Sequence, residues 1–150
     1  MFRAAVTPWA PMTGHDAVPP AEAAVGALRV LIADDDRFMR TALAAGLAGD
    51  FAVVGTAADA DEAIALAEEL HPDAAILDVD MPGGGGLRAT TEILQRSPTT
   101  AVVILSGDES DVVVRDMINA GAMTYVRKGA QREELAKAVR RSVAATRPAS

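Results

Sequence analysis

The sequence predicts an α/β protein: a doubly wound parallel sheet of five strands with five helices. Three observations carry that expectation. Short β-type runs alternate with segments of helical periodicity through most of the chain, joined by short connections. The first, third and fourth β-type runs are close to continuously apolar, as parallel strands covered on both faces are. Residues capable of chemistry stand at the ends of several of these runs, where ligands bind in open parallel sheets.

Taken in order, Leu28–Ala33 reads as the first strand and Arg37–Ala48 as the first helix, with Phe38, Met39, Ala42, Leu43 and Leu47 along one side. Phe51–Ala57 is the second strand. Asp61–Leu70 is the second helix, with Ile64, Ala65, Ala67 and Leu70 as its apolar positions. Asp61 and Glu62 suit the positive N-terminal end of that helix. The third unit pairs strand Ala74–Leu77 with helix Leu87–Arg96. The fourth pairs Ala101–Ser106 with Asp111–Ala120. The fifth pairs Thr124–Arg127 with Gln131–Ala144, whose Leu135, Ala138, Val139 and Val143 recur at helical spacing. Right-handed crossovers then leave few topologies.

Residues 1–26 hold four of the eight prolines and are expected to form a flexible tail. The single Trp, Trp9, lies there and is given no role. The folded domain is expected over 27–145, with 146–150 a short C-terminal tail and no second domain.

The bulk numbers narrow the function. A chain of 150 residues suffices for one domain with a sizeable core. Its net charge of −7 argues against direct nucleic-acid contact and against an anionic membrane surface. With no cysteine there is no disulfide framework and no thiolate metal site. No apolar run is long enough to span a bilayer. Pro8 and Pro11 interrupt the N-terminal apolar stretch, so a signal peptide is not expected, and the chain is read as cytoplasmic.

The strand ends point to chemistry. Asp34, Asp35 and Asp36 follow the first strand, Asp78 the third, Ser106 closes the fourth, and Lys128 follows the fifth. Each has an ordinary reading: a solvated acidic turn with Asp36 as a helix cap, a loop aspartate, a turn serine, a solvated lysine. Their joint arrival at one sheet edge is harder to explain that way. Two carboxylates about 4 Å apart repel by roughly 4 kcal/mol at an effective dielectric of 20, and one lysine does not balance several. A hard divalent cation does, and Mg²⁺ favours one or two carboxylates together with a phosphate oxygen. A carboxylate beside such an ion can act as a nucleophile toward phosphorus, giving an aspartyl phosphate. Lys128 and the Ser106 hydroxyl would then each hold a phosphoryl oxygen.

At this point the chain resembles a response-regulator receiver domain of bacterial two-component signalling, over residues 27–145. The resemblance rests on the acid pair Asp34-Asp35, on Asp78 with the downstream Met81-Pro82, on Ser106, and on Lys128 with Tyr125 three residues earlier. The separations of 43, 28 and 22 residues between Asp35, Asp78, Ser106 and Lys128 also match. The resemblance implies a flavodoxin-like strand order of 2-1-3-4-5. It implies that Asp78 accepts phosphate from a sensor histidine kinase or phosphotransfer protein. Asp34, Asp35 and Asp78 would hold Mg²⁺, with the backbone carbonyl of Asp80. Ser106 and Tyr125 would be switch residues that reshape a face presented to a downstream protein target. Asp80 and Asp108 would tune phosphate lifetime. The protein would be a monomer or a phosphorylation-dependent homodimer, and no enzyme beyond its own phosphorylation and dephosphorylation.

Two features depart from the family pattern. Gly129 stands where many members have a proline after the lysine, and "PGGGG" (82–86) fills the loop after Asp78 with glycine, implying mobility there. Two other functions compete. Asp78-Val79-Asp80 is reminiscent of the Asp-x-Asp motif of haloacid-dehalogenase-like phosphohydrolases, although that motif usually sits on the first strand. A phosphorylation-independent interaction module of the same fold is the other.

Overall fold

The computed structural model describes residues 26–107 and 110–147. Within them β1 (Arg29–Ala33), β2 (Ala52–Ala57), β3 (Ala74–Asp78), β4 (Ala101–Ser106) and β5 (Thr124–Arg127) alternate with α1 (Arg37–Leu47), α2 (Ala60–Leu70), α3 (Gly85–Arg96), α4 (Asp111–Asn119) and α5 (Arg132–Thr146). All pairings are parallel, in the order β2-β1-β3-β4-β5. The chain winds from β1 outward to β2, then returns to place β3 on the other side of β1. The β1/β3 boundary is therefore the switch point, the place where such sheets open a crevice at their carboxyl ends.

The alternation of side chains along each strand builds two cores. Leu31, Ala33, Ala75, Leu77, Val102 and Ile104 face one side, where Ala63, Ile64 and Ala67 of α2, Ala89 and Ile93 of α3, and Met117 of α4 cover them. Val30, Ile32, Ala74, Ile76, Val103 and Leu105 face the other, under Leu47 of α1 and Leu135, Val139 and Val143 of α5. Every residue of β3 and β4 is buried, which explains their unbroken apolar runs.

Several boundaries and one helix face differ from expectation. β3 runs one residue further and contains Asp78. α3 begins at Gly85 instead of Leu87; the Gly86 amide, one of the helix's free N-terminal donors, bonds the Val79 carbonyl of the preceding loop and so holds two residues of poor helix propensity in place. α5 continues to Thr146, and Arg147 beyond it pairs with Asp73 at 2.7 Å. In α1, Phe38 is 85% exposed and Ala42 is exposed too, while Leu43 and Leu47 face the core. At about 100° per residue, Phe38 lies about 140° around the helix from Leu43, so the two do not share a stripe. Trp9 and the rest of residues 1–25, Asp108, and residues 148–150 lie outside the described residues.

Candidate functional site

β1 delivers Asp34 to the sheet edge, fully buried, with its amide donating to the Ala57 carbonyl at 3.0 Å. Its Oδ1 accepts the Asp36 amide at 2.9 Å. Asp36 itself caps α1, its Oδ1 accepting from the amides of Phe38 and Met39. The three consecutive acids thus divide their work: Asp34 points into the site, Asp35 is exposed at its mouth, and Asp36 ends the loop.

Asp78 closes β3, opposite Leu105 of β4, and is 1% exposed. Its Oδ1 accepts from the Asp80 amide at 3.3 Å and lies 3.0 Å from Lys128 Nζ. Ser106 ends β4, buried, and its carbonyl accepts the Lys128 amide at 2.8 Å. That backbone hydrogen bond sets the Ser106 and Lys128 backbones side by side at the sheet edge. The residue after the lysine takes a left-handed conformation (Gly129, φ +93°) across a trans peptide bond, and Lys128 still reaches Asp78.

The carboxylates of Asp34, Asp35 and Asp78 can place oxygens all within 4.8 Å of one another. Lys128 Nζ stands 3.8 Å from Asp34 Oδ2. Burial is the main force on the Asp78 carboxyl, and the Asp34 charge adds to it; against the pull of Lys128 they push its pKa up to about 6. Among the described residues, Asp34 Oδ2 is one of two buried side-chain oxygens with no hydrogen-bond partner; the other is Thr90 Oγ1 in α3. An orphan carboxylate oxygen is costly to bury. It is also what a hard cation requires, and the all-oxygen donor set fits Mg²⁺ and excludes a preference for softer metals.

Tyr125 is 48% exposed on β5, two residues before the end of the strand, so it is not a core residue in this conformation. Asp80 is exposed at the cleft that runs from Asp35 past Met81 and Leu87 to Met117. The glycines after Pro82 have conformational reasons. Gly85 takes φ +71°, and a Cβ at Gly86 would meet the Asp78 carbonyl at 2.8 Å.

Two arginines escaped the sequence reading. Arg40 donates to the Asp34 carbonyl at 2.7 Å from the first turn of α1, and Arg88 bonds the Gly83 carbonyl at 2.7 Å. Both act on backbone carbonyls, for which a sequence carries no signal.

A family model described as the response regulator receiver domain matches residues 30–140. The response regulator GacA of Pseudomonas aeruginosa is 38% identical over 122 residues, covering 80% of this chain and 57% of that protein. The DNA-binding transcriptional activator DevR/DosR of Mycobacterium tuberculosis is 37% identical over 115 residues, covering 75% of this chain and 53% of that protein. The chain thus spans about half the length of these curated relatives. Among solved structures, the signal receiver domain of the response regulator NarL from Mycobacterium tuberculosis superposes with a TM-score of 0.75 at 29% identity, over 79% of this chain and 97% of that one.

Proposed function

Because the chain belongs to the response regulator receiver domain family, we propose that it is a phosphorylation switch whose acceptor is Asp78. The observation that carries this reading is the setting of Asp78. It is a buried carboxylate at the end of the central strand, with Lys128 at 3.0 Å and, in the same pocket, an Asp34 oxygen that has no hydrogen bond.

An Asp78 oxygen forms a bond to phosphorus as the donor's own bond to phosphorus breaks, the donor being a sensor histidine kinase or phosphotransfer protein. Lys128 meets one phosphoryl oxygen with its charge, and the Ser106 hydroxyl donates to another. Asp34, Asp35, Asp78 and the Asp80 carbonyl would hold Mg²⁺, which when bound neutralises phosphoryl charge that one lysine does not cover. The backbone hydrogen bond that pairs Ser106 with Lys128, and the 3.0 Å approach of Lys128 to Asp78, support positioning as the chief source of rate. Asp80 and Asp108 tune how long the acyl phosphate survives.

The output is conformational. Drawing Ser106 toward the phosphoryl group vacates space into which Tyr125, outward here, turns, and the face of α4, β5 and α5 changes shape. That face meets a downstream protein target, or a second copy of the chain. The protein works in the cytoplasm, and its chemistry stops at its own phosphorylation and dephosphorylation. Among the described residues no helix is long and apolar enough to cross a membrane. The expectation of no nucleic-acid contact does not carry over to a longer regulator, since DevR/DosR is named as DNA-binding.

The test is intact mass after incubation with Mg²⁺ and a small acyl phosphate. One added phosphate on the wild type and none on Asp78→Asn is the expected result. No modification, or equal modification of both, overturns the reading. Continuous turnover of a generic phosphate ester would favour the phosphohydrolase instead.

A further inference from the structure

We propose that Arg88 is a positioning residue for the metal-binding loop, a latch that holds the glycine-rich segment after Asp78 against α2. The inference rests on the Mg²⁺ reading of the site given above. Arg88 Nη1 donates to Asp61 Oδ1 at 2.6 Å and to the Gly83 carbonyl at 2.7 Å, while its Nε donates to Glu92 Oε2 at 2.9 Å. One guanidinium therefore ties the first turn of α2, the loop backbone and the body of α3 together. Only a planar fork with several donors satisfies three such acceptors at once.

The loop needs this tie. Two other backbone bonds anchor it: the Ala60 amide donates to the Pro82 carbonyl at 3.0 Å, and the Gly86 amide to the Val79 carbonyl at 2.8 Å. Between them run Gly83, Gly84 and Gly85, all at positive φ, a stretch whose unfolded freedom is large and whose side chains contribute nothing. The Arg88 stem packs against Gly84 so closely that a Cβ there would meet Arg88 Cδ at 2.8 Å. Upstream of the latch lies Asp80, whose carbonyl is an expected metal ligand and whose amide already bonds Asp78. Freeing Gly83 leaves the Ala60–Pro82 bond to hold the loop on α2 without the guanidinium, so the backbone between Val79 and Gly83 that carries the Asp80 carbonyl is held less firmly.

The neighbouring ion pairs supply the control. Arg96 bonds Glu92 and lies 3.3 Å from Glu68, so it stitches the same α2–α3 seam without touching the loop. A role confined to the seam would make Arg88 and Arg96 equivalent.

The experiment is Mg²⁺ titration of the full chain by calorimetry, with amide hydrogen exchange at Gly83–Gly86 read alongside. Arg88→Ala is expected to weaken Mg²⁺ binding roughly three- to tenfold and to speed exchange in the loop. Asp61→Asn should shift both in the same direction by less, Arg88→Lys should recover part of the affinity, and Arg96→Ala should leave the affinity unchanged. Wild-type affinity in a folded Arg88→Ala protein overturns the latch, as does an equal loss in Arg96→Ala. Should Arg88→Ala not fold, Asp61→Asn decides by the same criteria. A wild type that binds no Mg²⁺ overturns the reading of the site itself and the latch with it.

Discussion

At the amino end of the sheet, Asp73 accepts hydrogen bonds from the Arg29 amide and from Arg147, and Arg29 in turn donates to the carbonyls of Leu70 and His71. At the carboxyl end of the same strands, Asp34 keeps an oxygen without a hydrogen bond and Asp78 is pushed toward neutrality. The amino end goes further: the Thr100 hydroxyl donates to the Pro72 carbonyl at 2.8 Å and lies 2.6 Å from Ser97 Oγ, which in turn meets His71. Polar groups there are arranged to hold the fold. At the other end they are arranged so that something else completes them. The same backbone thus carries one end whose buried polar groups are satisfied and one end, that of the proposed site, where a buried carboxylate oxygen is not.

Substitutions on the two ends should behave oppositely. The largest effect is expected from Asp34→Asn, which keeps the acceptor for the Asp36 amide but removes a charge: Mg²⁺ affinity by calorimetry should fall at least about tenfold, with little loss of folding stability. Thr100→Val should do the reverse. It leaves the Pro72 carbonyl unpaired and should cost about 1–3 kcal/mol in urea unfolding, with Mg²⁺ affinity untouched. A change of Mg²⁺ affinity in Thr100→Val would break the division between the ends. Gly85→Ala lies on the boundary, since a Cβ at φ +71° would come 2.9 Å from the Val79 carbonyl; a cost of about 1–2 kcal/mol in urea unfolding is expected. The smallest effect is expected from Phe38→Ala, within about 0.5 kcal/mol, because the ring is 85% exposed.

Most of the fold was legible because burial on both faces writes β1, β3 and β4 as apolar runs and because alternation fixes the class. The site was legible because its chemistry lies on side chains at strand ends: Asp34, Asp35, Asp78, Ser106 and Lys128 come to one edge, as their order along the chain suggested. Most of what escaped lies on backbone atoms. Arg40 and Arg88 act on carbonyls, and the Gly86 amide at the start of α3 bonds the Val79 carbonyl; side-chain periodicity does not encode where those atoms end up. The Arg147–Asp73 ion pair beyond α5 joins side chains 74 residues apart, a separation that periodicity does not reach either. Phe38 differs in kind: it lies outside the stripe of α1 that packs on the sheet, and helical periodicity alone does not set the width of that stripe.

The central claim is that the carboxyl end gives up stability for a phosphoryl and cation site, and Asp78→Asn measures it. The folded carboxyl titrates near 6 against an ordinary value of 3.8. A raised carboxylate pKa means that stability is fully present below the unfolded value and is lost as pH rises through the folded one. Without divalent cation, wild-type stability relative to Asp78→Asn should therefore fall between about pH 4 and 6. It should then stay lower at neutral pH by roughly 1–3 kcal/mol. Urea unfolding of both proteins at pH 5 and 7.5, with and without Mg²⁺, reads this directly. The account predicts a mutant more stable than wild type at pH 7.5 and a gap that Mg²⁺ narrows by stabilising the wild type. A mutant less stable than wild type at pH 7.5, with Mg²⁺ changing neither protein, would contradict it.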